Sequence, residues 1–265
     1  METRLTGVSI ATKKDHSTYY RASITHKQKH ISLGSFNTME EAHAAYAEAL
    51  MVLADTDLSI HHYAPDAMNL SFDKWVSLIN YRDNLIYFCN PIYVNKNFFT
   101  YYLSPLIELI FDMDDLFYYS SHKIMKRLGH LFVADYGMQV TIASRYGIKN
   151  YSVLNRDYRF INGNIYDYRY ENIEIINRYQ GVQKIKKKNQ IKYQVTIHVH
   201  SNYRVGCYSS EEKAAVAYNK AIDILHKQGI KKHYTPNYIE SLTKTAYADI
   251  YADIKVSPKL YYLNS

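Results

Sequence analysis

Cysteine is scarce in this chain of 265 residues: Cys89 and Cys207 stand far apart, each in apolar sequence. Two isolated thiols make neither a disulfide framework nor the paired spacing of a zinc site. Packing therefore has to hold the fold, and a reducing compartment is expected. Long apolar runs are also missing. Phe98 to Phe111 is apolar, but Ser104, Pro105 and Glu108 interrupt it and it is too short to span a bilayer. Met1-Glu2-Thr3-Arg4 has no apolar core of a signal peptide. A cytoplasmic protein without a membrane partner is expected. Acidic residues vanish over one interval: no Asp or Glu lies between Glu174 and Glu211, whereas Arg178, Lys184, Lys186, Lys187, Lys188, Lys192 and Arg204 do. The chain as a whole is mildly basic, with 32 Lys+Arg against 25 Asp+Glu. That balance suits an anionic partner without specifying one.

What is present is ordinary in overall balance and unusual in order, apart from 29 tyrosines, an excess for this length that is expected mostly to fill cores and strands. With 47% apolar and 22% charged residues the chain has the balance of a folded protein, long enough for two or three small domains. One pattern occurs twice. Gly7-Val8, Tyr20 to Ile24, Leu33-Gly34-Ser35-Phe36 and Glu40 to Ala49 are echoed by Gly181-Val182, Tyr193 to Ile197, Val205-Gly206-Cys207-Tyr208 and Glu212 to Ala221. From Leu33/Val205 to Ala49/Ala221 the copies keep step without a gap.

Each copy predicts three strands and a helix. Tyr20, Ala22 and Ile24 alternate with Arg21, Ser23 and Thr25, and Tyr193, Val195 and Ile197 alternate with Gln194, Thr196 and His198. Period two makes one face apolar and one polar. Ile31 and Leu33 against His30 and Ser32 repeat this in a third strand, as do Tyr203 and Val205 against Asn202 and Arg204. The helix is expected to start at Asn37-x-x-Glu40 or Ser209-x-x-Glu212 as a capping box. Its apolar stripe, Ala42, Ala45, Tyr46, Ala49 and Leu53 or Ala214, Ala217, Tyr218, Ala221 and Leu225, lets it lie close to a sheet. The other face of that sheet is left free to bind.

On these residues both copies resemble the Apetala-two/ERF DNA-binding domain, the first closely, with Tyr20 where that family usually has tryptophan. The resemblance implies a three-stranded sheet laid in the DNA major groove. Double-stranded DNA is then the expected partner. The polar strand faces offer Arg21, Ser23, Thr25, His30 and Ser32 in the first copy, and Lys192, Gln194, Thr196, His198 and Arg204 in the second. Arg21, Gln194 and Arg204 suit base edges. Lys184, Lys186, Lys187 and Lys188 suit phosphates, unless the run is only a solvated hairpin tip.

Between the copies, Asp157-Tyr158-Arg159-Phe160-Ile161-Asn162-Gly163-Asn164 leads on to Tyr168-Arg169-Tyr170-Glu171-Asn172-Ile173. Asn162-Gly163 among alternating aromatics predicts a tight hairpin. The segment is similar to the core of phage-type His-Asn-His (HNH) endonucleases, which carry Asp-His-Ile-Asn-Gly and then Asp-Asn-Arg-x-Glu-Asn-Leu. In that family the histidine is the general base and the preceding aspartate holds a divalent metal. Here those positions are Phe160 and Arg159, and the family's central asparagine falls at Tyr168. A phenyl ring takes no proton, and a guanidinium repels a metal. Arg159 implies instead a module that holds a phosphate without cutting, or an ordinary strand residue. Asp157, Asp167, His122 and His130 are conceivable substitute ligands, without a spacing that recommends them. His61-His62 and the cluster Asp112, Asp114 and Asp115 read as a loop and a solvated turn.

The expected architecture is α+β: two small three-stranded-sheet-plus-helix, Apetala-two/ERF-like domains flanking a degenerate ββα HNH-like module. Its parts are the first DNA-binding domain at 1–55, a helical and aromatic connection at 56–118 with a helix near 69–85, the HNH-like module at 119–178, the second DNA-binding domain at 179–232 and a helical tail at 233–265. The expected function is sequence-preferring binding of duplex DNA, suited to transcription regulation, in a protein of phage or mobile-element type working in a bacterial or phage-infected host cytoplasm. No catalytic residue, metal or cofactor is assigned. Two alternatives stay open: an HNH homing-type endonuclease with non-standard residues, needing Mg or Mn, and a protein-binding inhibitor or decoy on the same scaffold. The oligomeric state is open.

Overall fold

A computed structural model describes residues 5–263. Met1 to Arg4, on which the leader expectation rests, lie outside them. The chain is α+β, with several small three-stranded antiparallel sheets. It divides into two compact units, residues 5–142 with 164–172, and residues 143–163 with 173–263. Among the described residues no helix is long and apolar enough to cross a membrane.

The first unit opens with the first copy. Strands β1 (Val8–Thr12), β2 (Thr18–His26) and β3 (Lys29–Phe36) form one sheet in that order. Helix α1 (Met39–Ala54) covers one face of it. Thr38 rather than Asn37 caps α1: its hydroxyl accepts from Glu41 N–H at 3.1 Å, and the Glu41 carboxylate accepts from Thr38 N–H at 3.4 Å. The expected box thus forms one residue later. Helix α2 (Phe72–Asn84) follows, slightly shorter than expected, with Trp75, Leu78 and Ile79 buried. Its Arg82 closes the end of α1, donating to the carbonyls of Val52 at 3.1 Å and Leu58 at 2.9 Å. Val52 O, in the last turn of α1, has no intrahelical partner to use, and a cation suits the negative end of the helix, whereas Leu58 lies in the connection beyond it.

The aromatic connection is itself a sheet: β4 (Ile92–Val94), β5 (Phe98–Ser104) and β6 (Ile107–Asp112), backed by α3 (Leu116–Ser121). Phe99, Phe111 and Tyr119 stack in its core, with 4.3 Å between the last two rings. Burial pushes the Tyr101 hydroxyl up to about 12. Residues 166–168 extend β6, Ile110 N–H donating to Tyr166 O and Tyr168 N–H to Ile110 O. Asp115, expected in a solvated turn, is buried, and the Tyr170 hydroxyl donates to it at 3.3 Å. A small meander, β7 (Met125–Arg127), β8 (His130–Asp135) and β9 (Met138–Thr141), stands where the sequence pattern predicts no sheet.

The short helix α4 (Ile142–Arg145) leads into the second unit, where β10 (Tyr158–Phe160) pairs with β11 (Ile173–Ile175). The second copy then repeats the first: β12 (Val182–Lys187), β13 (Gln190–His198) and β14 (Asn202–Tyr208) form the sheet, and α5 (Glu211–Lys227) covers it. Ser210, not Ser209, caps α5 by accepting from Lys213 N–H at 3.2 Å. Lysine at that third position leaves only half of the expected box. Of the helical tail, α6 (Lys244–Asp253) alone is a regular helix. Tyr247, Ile250 and Ile254 pack half-buried against the second core, so the stripe expected there serves packing. Lys220 of α5 closes α6, donating to the carbonyls of Tyr251 at 2.7 Å and Ile254 at 2.9 Å.

The repeated motif residues have repeated physical causes. Both copies carry a bulge at the same place, where Leu33 and Val205 are the extra residues and Gly34 and Gly206 face Ala22 and Val195. The aromatic two residues on, Phe36 or Tyr208, folds over that glycine. At the other end, a Cβ on Gly7 would stand 2.1 Å from the Tyr46 ring, and one on Gly181 would stand 2.3 Å from the Tyr218 ring. Both glycines also have positive φ, +78° and +73°. Gly7→Ala and Gly181→Ala should each destabilise their own unit by about 1–3 kcal/mol in urea denaturation. Gly129→Ala, at φ +83° with open space around it, should lose only about 1 kcal/mol.

Candidate nucleic-acid interface

The pleat decides which side chains face away from the helices. In the first sheet Ala22, Ile24, Ile31 and Leu33 are buried toward α1. The opposite face carries the cross-strand rows Ser9–Arg21–Ser35, Ser23–Ser32 and Thr25–His30. All five residues expected there, Arg21, Ser23, Thr25, His30 and Ser32, are brought together. Arg21 is braced by a residue that sequence reasoning missed: it donates to the Tyr19 hydroxyl, at 3.1 Å from Nε, and its guanidinium lies 5.2 Å from the Tyr19 ring centre. Tyr19 stands two residues before Arg21, on the same face of the strand, and that spacing was the available signal. Thr25 Oγ1 lies 3.4 Å from His30 Nδ1.

In the second sheet the free face carries Gln183–Gln194–Cys207, Ile185–Lys192, Lys187–Gln190, Thr196–Arg204 and His198–Asn202. Lys192, Gln194, Thr196, His198 and Arg204 therefore share one face as expected. The lysine run does not. Lys184 pairs with Tyr193 and Lys186 with Ile191, in rows that include Val182–Val195 on the helix side, whereas Lys187 lies on the free side. Lys188 and Asn189 make the left-handed turn between them, at φ 47° and 61°. Strand alternation splits the run across both sides of the β12–β13 hairpin, so these lysines ring its tip instead of lining one stripe. None of the paired positions on either free face is a carboxylate. His198 Nδ1 lies 3.0 Å from Asn202 Oδ1, which fixes the end of the second face.

The segment expected to be HNH-like is organised differently from a tight hairpin. Gly163 N–H donates to Phe160 O at 3.1 Å, so a turn forms at Asn162-Gly163. The partner of β10 is nevertheless β11, reached through residues 161–172. The aromatics that follow the turn are engaged elsewhere: Tyr168 is buried and its ring stacks on Phe111 at 5.6 Å. Arg159 faces Glu174 across the strands and donates to its carboxylate at 2.6 Å, which balances its charge. Phe160 is buried, edge-on to Tyr158.

The substitute metal ligands have structural partners. Asp157 is buried and accepts from Val153 N–H at 2.8 Å, Arg156 at 2.6 Å and Asn177 at 3.0 Å. Burial raises its pKa, but these hydrogen bonds outweigh that and hold the carboxyl below the usual range. Asp167 takes a two-pronged contact from Arg169, at 2.9 and 2.7 Å. His122 stacks on Tyr118 at 4.2 Å with Nε2 3.6 Å from Asp135, and His130 is exposed on β8. Among the described residues no three His, Cys, Asp or Glu side chains cluster as metal ligands. Both cysteines are free, and Cys89 is exposed despite its apolar sequence.

Comparison with protein-family models, curated proteins and solved structures found no match.

Asp157→Asn should cost about 1–3 kcal/mol, because Arg156 and the buried donors lose a charged acceptor. The sign of the pH effect follows from the lowered pKa. The contribution of Asp157 is present above the unfolded carboxyl value, about 3.9, and is lost as pH falls through the folded one. Denaturation midpoints measured from neutral to acid pH should fall less steeply in the variant than in the parent.

Proposed function

We propose that the chain is a sequence-preferring binder of double-stranded DNA, of phage or mobile-element type, whose two Apetala-two/ERF-like sheets are its reading surfaces and which is suited to regulating transcription. The observation that carries this reading is shared by both copies. Each sheet buries one face under a helix and presents on the other a polar, carboxylate-free set of rows containing one arginine, Arg21 or Arg204. A sheet of this width fits the major groove, where arginine pairs with guanine and glutamine with adenine. The lysines around the β12–β13 tip add phosphate contacts, which carry affinity and salt dependence while leaving preference to the base contacts.

The HNH-like segment enters the proposal as scaffold. Arg159 spends its charge on Glu174, and Asp157, Asn177 and Arg156 form a bonded cluster at the entry to the second copy, where Asn177 Oδ1 also accepts from Lys184 N–H at 2.7 Å.

Incubation of the purified chain with randomised duplex DNA plus magnesium or manganese, scoring retained fragments and cut ends together, tests the reading. Enriched, intact DNA is expected. Specific cut ends would move the assignment to an endonuclease, and absence of enrichment would move it to a protein partner. On the enriched site, Arg204→Ala should reduce discrimination at one base pair by about 1–3 kcal/mol. Replacing Lys186, Lys187 and Lys188 by alanine should weaken all duplexes alike and flatten the dependence of log K on log salt by about 0.9 for each phosphate left without its lysine. The reverse pattern would refute the division of roles.

A further inference from the structure

The outer edge of β14 is met by the C-terminal segment. Ser257 N–H donates to Val205 O at 2.8 Å, at the bulge, and the Tyr208 hydroxyl donates to Lys255 O at 2.8 Å. One turn later Leu260 is fully buried in the second core, and its carbonyl accepts from Gln228 at 2.7 Å. The residues between are held at both ends. Strand and segment enclose a cleft of about 560 Å³, whose polar lining includes Asn202, Arg204, Cys207, Ser257 and Lys259. Arg204 and Lys259 are exposed, and among the described residues no carboxylate lines the cleft.

Two cations with hydroxyl and amide donors, and no acidic side chain in the lining among the described residues, suit an anion. Register places Arg204 on the free face of the same sheet. We propose that the cleft seats a backbone phosphate of the duplex whose groove Arg204 reads, with Lys259 as its cationic contact. The assignment rests on the DNA-binding reading above. It makes the C-terminal segment part of the interface and makes the phosphate a register stop: once it is seated, Arg204 can reach only one place along the groove. Phosphate contacts position a protein on DNA in this way without reading sequence themselves.

The test uses the full chain with Lys259→Gln, and Lys244→Gln as an exposed-lysine control on α6. Affinity is measured against salt for the preferred duplex and for a scrambled one. Labelling of Cys207 by a thiol reagent is followed with and without duplex, with the exposed Cys89 as internal reference. Lys259→Gln should weaken both duplexes by the same factor and make the salt slope shallower by about one, whereas Lys244→Gln should match the parent. Bound duplex should slow labelling of Cys207 and spare Cys89. An unchanged slope in Lys259→Gln would overturn the cleft assignment while leaving DNA binding intact; Cys207 labelled at its free rate in the complex would overturn the cleft together with the second sheet as a reading face, because Cys207 also lies on that face. Protection of Cys207 by inorganic phosphate alone, equal to that by duplex and with an unchanged slope, would overturn it in favour of a free phosphate ligand. A parent chain that retains no duplex at low salt would remove the DNA-binding reading and the cleft assignment together.

Discussion

Close approach of helix to sheet is the constraint on which both copies depend. Ala42, Ala45 and Ala49, and in the second copy Ala214, Ala217 and Ala221, are fully buried between the layers. With only a methyl group at each position the helix backbone settles low over the strands. The tyrosine within this stripe then has room only where the chain below has no Cβ, which is why Gly7 and Gly181, just ahead of β1 and β12, lie beneath Tyr46 and Tyr218. Cover of one face by a helix this close leaves the polar residues of the central strands on the other, while Lys184 and Lys186 stay on the helix side toward the hairpin tip. The chemistry of the free faces follows from the packing behind them.

Much of this is legible in the sequence because it depends on local period. Alternation in Tyr20 to Thr25 and Tyr193 to His198 defines the faces, and the gapless match of the copies defines the equivalent positions. Local pattern puts the helix caps one residue early because Asn37 stands beside Thr38 and Ser209 beside Ser210, and either neighbour has a side chain able to cap. The lysine run looks like a block, yet Lys184 and Lys186 share parity with Val182, so its division across the hairpin is available from the same alternation. What local pattern does not contain is long-range choice. Tyr166 and Tyr168 look like the second arm of a hairpin at Asn162-Gly163 but are used on β6 instead. The meander of β7 to β9 has short strands without clean alternation, and only its turn glycines, Gly129 and Gly137, announce it.

Polar groups are used inside the units in a consistent manner. The free carbonyls ending α1 and α6 are met by a cation from a neighbouring helix, Arg82 and Lys220 respectively. The side chain of Asn219, buried on α5, donates to the Asn237 carbonyl at 2.9 Å and accepts from the Asn237 N–H at 2.7 Å, and the Asn237 side chain in turn bonds both the N–H and the carbonyl of Gln180. The irregular stretch between the helices is thereby bonded into the second core. Unpaired groups at those positions would each forfeit hydration without return.

The first unit is discontinuous in the chain: residues 164–172 belong to it, although residues of the second unit flank them on both sides. Ile110 exchanges hydrogen bonds with this late stretch, Phe111 stacks on its Tyr168, and Tyr170 N–H donates to Asp112 at 2.7 Å. During synthesis, therefore, the edge of β6 has to wait. Its final partners emerge from the ribosome only after the opening part of the second unit has been made, so the amino-terminal half cannot be completed as an independent vectorial folding step.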